Sequence, residues 1–181
     1  MTAMNESKKD RRMIHVYSGP GKGKTTAALG LALRACGHGW RVRMICFMKG
    51  DPNYGEVIVS GSIPNFELIQ SGLPAFVKKG EPSDEDLRLA RKGFELAKKT
   101  ARDNDVDMLI LDEINVAVDY GLIPLEEVVE YIKNKPVNME LVLTGRYAHL
   151  QIVKLADLAT EMLEIKHPFQ QGMQSREGID Y

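Results

Sequence analysis

Three glycines and two lysines alternate in Ser18-Gly19-Pro20-Gly21-Lys22-Gly23-Lys24-Thr25-Thr26, a spacing suited to gripping phosphate. Glycines at Gly19, Gly21 and Gly23 let successive backbone N–H groups turn inward, and a helix beginning at the end of the run adds its positive pole. Lys24 supplies a mobile point charge and Thr25 a hydroxyl for Mg²⁺, with Thr26 next to it and Lys22 either a second phosphate contact or a solvent-facing charge. The motif ordinarily carries Gly six residues before its Lys; here that residue is Ser18.

A second set of chemistry-bearing residues stands where other strands should end. Met108-Leu109-Ile110-Leu111 is followed by Asp112-Glu113, an apolar strand that would leave two carboxylates at its tip to hold Mg²⁺ or Mn²⁺, or to orient a reacting group. Thr144-Gly145-Arg146 closes another strand, and its guanidinium suits bidentate phosphate contact or an ordinary carboxylate pair. Of the four histidines, none has metal-ligand spacing; His167, in Lys166-His167-Pro168-Phe169, is the one expected on the active edge. No Ser-His-Asp or Cys-His set emerges.

These residues need a scaffold that brings strand ends together, and the chain alternates strand and helix patterns as an α/β sheet requires. Strands are expected at residues 13–17, 42–48, 66–69, 106–112, 139–144 and 161–165, and helices at 25–36, 83–104, 124–135 and 147–158. Ser83 and the acids after it fit a helix start, and Gly37-His38-Gly39 a helix stop. Residues 70–82 carry Gly72, Pro74 and Gly80 beside Leu73 and Phe76, which predicts an irregular binding loop. The expected architecture is a single-domain phosphate-loop α/β fold of RecA-like type, with a mostly parallel sheet of about six strands and helices on both faces. Residues 13–181 form that domain, and residues 1–12, rich in Lys and Arg, form a flexible arm.

Composition narrows the partners. A chain of 181 residues, 44% hydrophobic, with net charge −1, can bury a sizeable core and has no global attraction to nucleic acid or anionic membrane. No apolar run reaches a membrane span, and the first residues lack the apolar middle of a signal peptide. Cys36 and Cys46 read as buried, reduced thiols, which fits a cytoplasmic protein. The residues alone thus support a nucleotide-binding enzyme or switch using Mg²⁺.

The motif set taken together resembles the phosphate-loop family of ATP:corrinoid adenosyltransferases. The resemblance is carried by the loop with Ala27-Ala28, Arg34-Ala35-Cys36-Gly37-His38-Gly39, Phe47-Met48-Lys49-Gly50, Leu111-Asp112-Glu113, Leu143-Thr144-Gly145-Arg146, Lys166-His167-Pro168-Phe169 and Gly178-Ile179-Asp180-Tyr181, and it covers residues 14–181. That family also lacks the first motif Gly, as Ser18 does. It implies transfer of the 5′-deoxyadenosyl group of ATP to the cobalt(I) of a reduced corrinoid such as cobalamin, with release of triphosphate, in adenosylcobalamin biosynthesis or salvage.

The resemblance implies Lys24, Arg146 and Glu113 at the chemistry, Gly19 to Thr26 on ATP, and Thr25, Asp112 and Glu113 on the metal. Leu73, Phe76 and His167 would face the corrinoid. It also implies a nucleotide reversed relative to ordinary kinases, a homodimer and an electron-donating flavoprotein partner. Two positions depart from the pattern. Pro20 stands where relatives often have Asn, and Gly72-Leu73-Pro74-Ala75-Phe76 replaces a Gly-Phe-x-Trp loop. The arm is also short beside relatives whose N-terminal helix covers the neighbouring subunit's corrinoid. Competing readings are a RecA-like ATPase or small kinase, and a non-catalytic ATP-dependent corrinoid carrier; a zinc-bearing nucleoside kinase would need a cysteine quartet that is missing.

Overall fold

Six strands make one sheet: β1 (Ile14–Ser18), β2 (Val42–Phe47), β3 (Phe66–Ser71), β4 (Met108–Asp112), β5 (Glu140–Thr144) and β6 (Leu158–Glu161). A computed structural model of the chain describes residues 12–181. All five strand pairings are parallel, in the order β3-β2-β4-β5-β1-β6, so every strand points its carboxyl end at the same edge. One strand, β5, separates the glycine-loop strand β1 from the acidic strand β4.

A parallel sheet needs cover on both faces, and the alternation along β4 shows how it is met. Met108 and Ile110 join Ala28, Ala32 and Ala35 of α1 (Lys24–Gly37), whose small side chains let the helix lie close to the sheet. Leu109 and Leu111 point the other way, into a larger core built with α3 (Asp84–Asp103), α4 (Ile114–Asp119), α5 (Leu125–Lys133) and α6 (Leu150–Leu155). Between them in the chain, α2 (Gly55–Ser60) lies against the β3 edge. Ser83 begins α3 with a reciprocal capping box to Asp86.

Four expectations on the elements need correction. The helix expected at 147–158 is only Leu150–Leu155, because Tyr147 adopts φ +60° and His149 caps the helix three residues later than expected. The last strand is Leu158–Glu161 rather than 161–165: Leu158 to Glu161 pair with His15 to Ser18, and Met162 and Leu163 instead run past the glycine loop. Gln70 and Ser71 belong to β3, so the irregular loop starts at Gly72. Helices α2 and α4, six residues each, had no counterpart in the sequence reading. Among the thiols, Cys46 is buried but Cys36 only half-buried. The arm expected at residues 1–12 lies outside the described residues except for Arg12, whose guanidinium stacks 3.5 Å over the Trp40 ring.

Candidate active site

The glycine loop lies where β1 hands over to α1. Gly23 takes φ +117° and no side chain caps the helix, so the first-turn N–H groups of α1 stay open to an anion. The other glycines serve close approach. A Cβ on Gly19 would lie 2.5 Å from the Met162 carbonyl oxygen, and one on Gly21 2.6 Å from that of Leu163. The Gly21 N–H donates to the Met162 carbonyl at 2.7 Å, so Gly21 anchors the loop to the segment after β6. Ser18 has no positive φ and so needs no glycine; its hydroxyl accepts from the Ala148 N–H and ties the loop to the turn carrying Arg146.

Asp112 ends β4 fully buried. Its Oδ1 accepts from the Thr144 hydroxyl at 2.6 Å and the Thr25 hydroxyl at 3.0 Å, and its Oδ2 from the Lys49 ammonium at 2.6 Å. Glu113 stands at φ +61°, an uncommon conformation for a side chain of this size, and its N–H donates to the Thr144 oxygen. Gly145, at φ +126°, makes room beside it: a Cβ there would lie 3.2 Å from the Glu113 carboxylate and 3.1 Å from the Val116 nitrogen. Thr25 and Asp112 are thus joined by a hydrogen bond, and the adjacent Glu113 lines the same cavity as Thr25. Among the described residues no cluster of three or more His, Cys, Asp or Glu side chains can ligate a metal. A hydroxyl and two carboxylates fit Mg²⁺, which keeps waters and takes further oxygens from phosphate.

The charges around these groups perturb one another. Burial lowers the Lys24 ammonium pKa, against the pull of Glu113. Burial would also lower Lys49, but Asp112 and Glu113 outweigh it and raise that ammonium on balance. Burial, then the Asp112 charge, raise the Glu113 carboxyl above the usual glutamate range, against Lys49, Lys24 and Arg146. A raised carboxyl pKa means that the folded state holds the proton more tightly than the unfolded chain. The resulting stability is full below the unfolded value, about 4.3, and is lost as pH rises through the folded value. Glu113→Gln should therefore melt higher than the parent near pH 8 without metal or nucleotide, and the gap should close as pH falls below about 4. Thermal melts across that range in chelator check it.

One cavity of about 960 Å³ joins these groups to an apolar wall. Gly21 to Thr26, Glu113 and Arg146 are among its polar lining, and Leu29, Val59, Ile63 and Phe66 among its apolar lining. Of the loop after β3, Phe76 and Val77 reach the cavity. Leu73 is half-buried and does not line it, whereas Val77 does. Phe76 is 99% exposed, which marks it as a side chain without a packing partner. Lys79 holds that loop in place by pairing with Asp119 at 2.6 Å and lying over Tyr147 and Tyr120.

His167 lines the cavity and accepts the Phe169 N–H, capping a short 3₁₀ turn (Pro168–Gln171). Lys22, for which solvent and phosphate were both open, pairs with Asp180 at 2.5 Å; that hydrogen bond, with one from the Arg176 N–H, holds the Asp180 carboxyl well below the usual range. Sequence reasoning had not assigned Lys49, Thr144, Asp180 or Tyr181 to the site. Tyr181 packs near Tyr54, ring centres 6.3 Å apart, so the C-terminal segment walls the cavity.

Comparison with known proteins agrees with this construction. Residues 10–181 match the family described as ATP:corrinoid adenosyltransferase BtuR/CobO/CobP. The chain is 36% identical over 177 residues to a corrinoid adenosyltransferase of Escherichia coli K12, covering 97% of this chain and 89% of that protein. It is 34% identical to corrinoid adenosyltransferase CobA of Salmonella typhimurium LT2, with the same coverage, and 31% identical to a corrinoid adenosyltransferase of Pseudomonas aeruginosa, covering 97% and 87%. With a glycine loop, an acidic strand tip and a cavity joining them to an apolar wall, the chain belongs to the ATP:corrinoid adenosyltransferase family.

Proposed function

We propose that the chain transfers the 5′-deoxyadenosyl group of ATP to the cobalt of a reduced corrinoid and releases triphosphate. The observation that carries this reading, beside the family, is that the phosphate cradle and the apolar wall share one cavity, as two co-substrates require. Cobalt(I) in the substrate supplies the electron pair that forms the new bond to C5′; the C5′–O5′ bond breaks and its electrons leave on triphosphate. The protein needs no nucleophile of its own and must position, stabilise charge and exclude water.

Each demand has a named group. The open N–H groups of α1 and the Lys24 ammonium hold the phosphates, and Arg146, on the same cavity wall, meets the charge that grows on the leaving oxygen. Thr25, Asp112 and Glu113 would hold Mg²⁺, which would neutralise triphosphate charge when bound. Phe76, Val77 and His167 face the space left for the corrinoid. ATP lying with its ribose toward that side, a homodimeric assembly, a cytoplasmic setting and a flavoprotein that delivers the electron complete the proposal. Among the described residues no helix is long and apolar enough to cross a membrane.

Mixing the protein with MgATP and chemically reduced cobalamin without oxygen should give a light-sensitive alkylcobalamin spectrum and one triphosphate per turnover. ADP release without corrinoid would instead identify an ATPase or kinase. Corrinoid binding without alkylation would identify a carrier.

A further inference from the structure

The carboxylate that should meet a metal is already meeting a cation, and that cation is the protein's own. The Lys49 ammonium donates to Asp112 Oδ2 at 2.6 Å and to Thr25 Oγ1 at 3.1 Å, while Thr25 Oγ1 donates to Asp112 Oδ1 at 3.0 Å. The Asp112 side chain has no exposed surface, and that of Lys49 has 19%. Lys49 lines the cavity and Asp112 does not, so the ammonium lies between the cavity and the carboxylate. A divalent ion that took both the Thr25 hydroxyl and an Asp112 oxygen would stand close to the ammonium bonded to the same two groups, and in a buried site their repulsion opposes holding both.

We infer that Lys49 is an exchangeable stand-in for the divalent cation. It keeps Thr25 and Asp112 in ligating register while the site is empty, and metal binding expels its ammonium into the nucleotide cavity, where it becomes a further positive charge facing phosphate. The inference rests on the magnesium assignment proposed above. The backbone around Lys49 restricts how the exchange occurs. Met48 turns at φ +58°, and Gly50 and Gly72 interlock backbone against backbone with no room for a Cβ on either. The turn is therefore pinned, and the ammonium leaves by rotation of its flexible four-carbon stem, which keeps it within the cavity wall. Lys24 and Lys22 are likewise held on protein oxygens, the first on the Gly19 and Gly21 carbonyls and the second on Asp180, so phosphate would recruit three lysines from internal partners.

The exchange can be read without turnover by titrating Mn²⁺ alone into nucleotide-free, full-length protein and following unbound ion by electron paramagnetic resonance. Lys49→Met should bind Mn²⁺ at least about tenfold more tightly than the parent, and Asp112→Asn added to Lys49→Met should abolish the gain. Lys22→Met, which removes the same charge from the cavity rim, should change Mn²⁺ affinity less than about threefold. In chelator Lys49→Met should also melt below the parent, with its buried carboxylate uncompensated, and Mn²⁺ should restore it. If Lys49→Met does not fold without metal, Lys49→Gln takes its place in the same titration. Unchanged or weaker Mn²⁺ binding by the Lys49 variant overturns the exchange, as does an equal gain from Lys22→Met. A gain that survives Asp112→Asn shows instead that the metal assignment is wrong, and removes both.

Discussion

Lys24→Ala should lose at least about 100-fold in ATP affinity while the ligand-free protein melts within about 3 °C of the parent. Lys24 is 7% exposed, and its ammonium donates to two of the loop's own carbonyls, Gly19 at 2.9 Å and Gly21 at 2.7 Å. These are dipoles rather than counter-ions, and burial lowers the pKa of the group accordingly. A buried cation without a bonded carboxylate gains most when an anion arrives. Hydrogen bonds between charged groups are worth about 1.5–3 kcal/mol each, so losing two phosphate contacts removes roughly 3 kcal/mol or more, about 100-fold in Kd. The stability effects oppose one another: two internal hydrogen bonds disappear, and so does the cost of burying the charge. Calorimetric titration with MgATP and paired melts test both halves. The rise in Tm that MgATP gives the parent should vanish in the variant, and unchanged ATP affinity would refute the loop assignment.

The parts of this site legible in the sequence are those built from near neighbours. A glycine loop is contiguous, and the acids at Asp112-Glu113 declare themselves because four apolar residues precede them. Lys49 gave no such sign. Its partners Thr25 and Asp112 lie 24 and 63 residues away; the pairing of β2 beside β4 brings it to Asp112, and the packing of α1 on β4 brings Thr25 to both. Thr144 read as the end of a strand; its bond to Asp112, 32 residues away, exists because β5 lies next to β4. Lys22 and Asp180 are 158 residues apart, and nothing local marks either as half of a pair. The same limit explains β6: alternation marks any extended apolar stretch, whereas its register is set by hydrogen bonds to β1 at the other end of the chain. The left-handed turn at Glu113 was hidden too, since no glycine marks it and the fold imposes it.

Gly72→Ala should separate the two halves of the cavity. Gly72 is not in the left-handed region, so its role is spatial. A Cβ there would press into the Lys49 nitrogen and lie 2.5 Å from the Met48 carbonyl carbon and 2.6 Å from the Met48 Cα, all backbone atoms that no rotamer change can clear. The turn and the loop must part. Overpacking of this kind costs about 2–3 kcal/mol, so Tm should fall by roughly 5–10 °C. Gly61→Ala is the control, since Gly61 has helical φ and nothing within 4 Å of the added carbon, and it should melt as the parent does. The functional effect should be unequal. Lys24 and the open end of α1 belong to β1 and its loop, so ATP affinity should change less than about threefold. Phe76 and Val77 ride on the displaced loop, so the KM for reduced cobalamin should rise more than about tenfold and kcat should fall with it, while Lys49, on the displaced turn beside Thr25 and Asp112, accounts for the smaller loss on ATP. Equal losses on both co-substrates would mean that the loop after β3 does not serve the corrinoid side. A Gly72→Ala protein that melts and turns over like the parent would mean that the contact between the two backbones is not a fixed part of the fold.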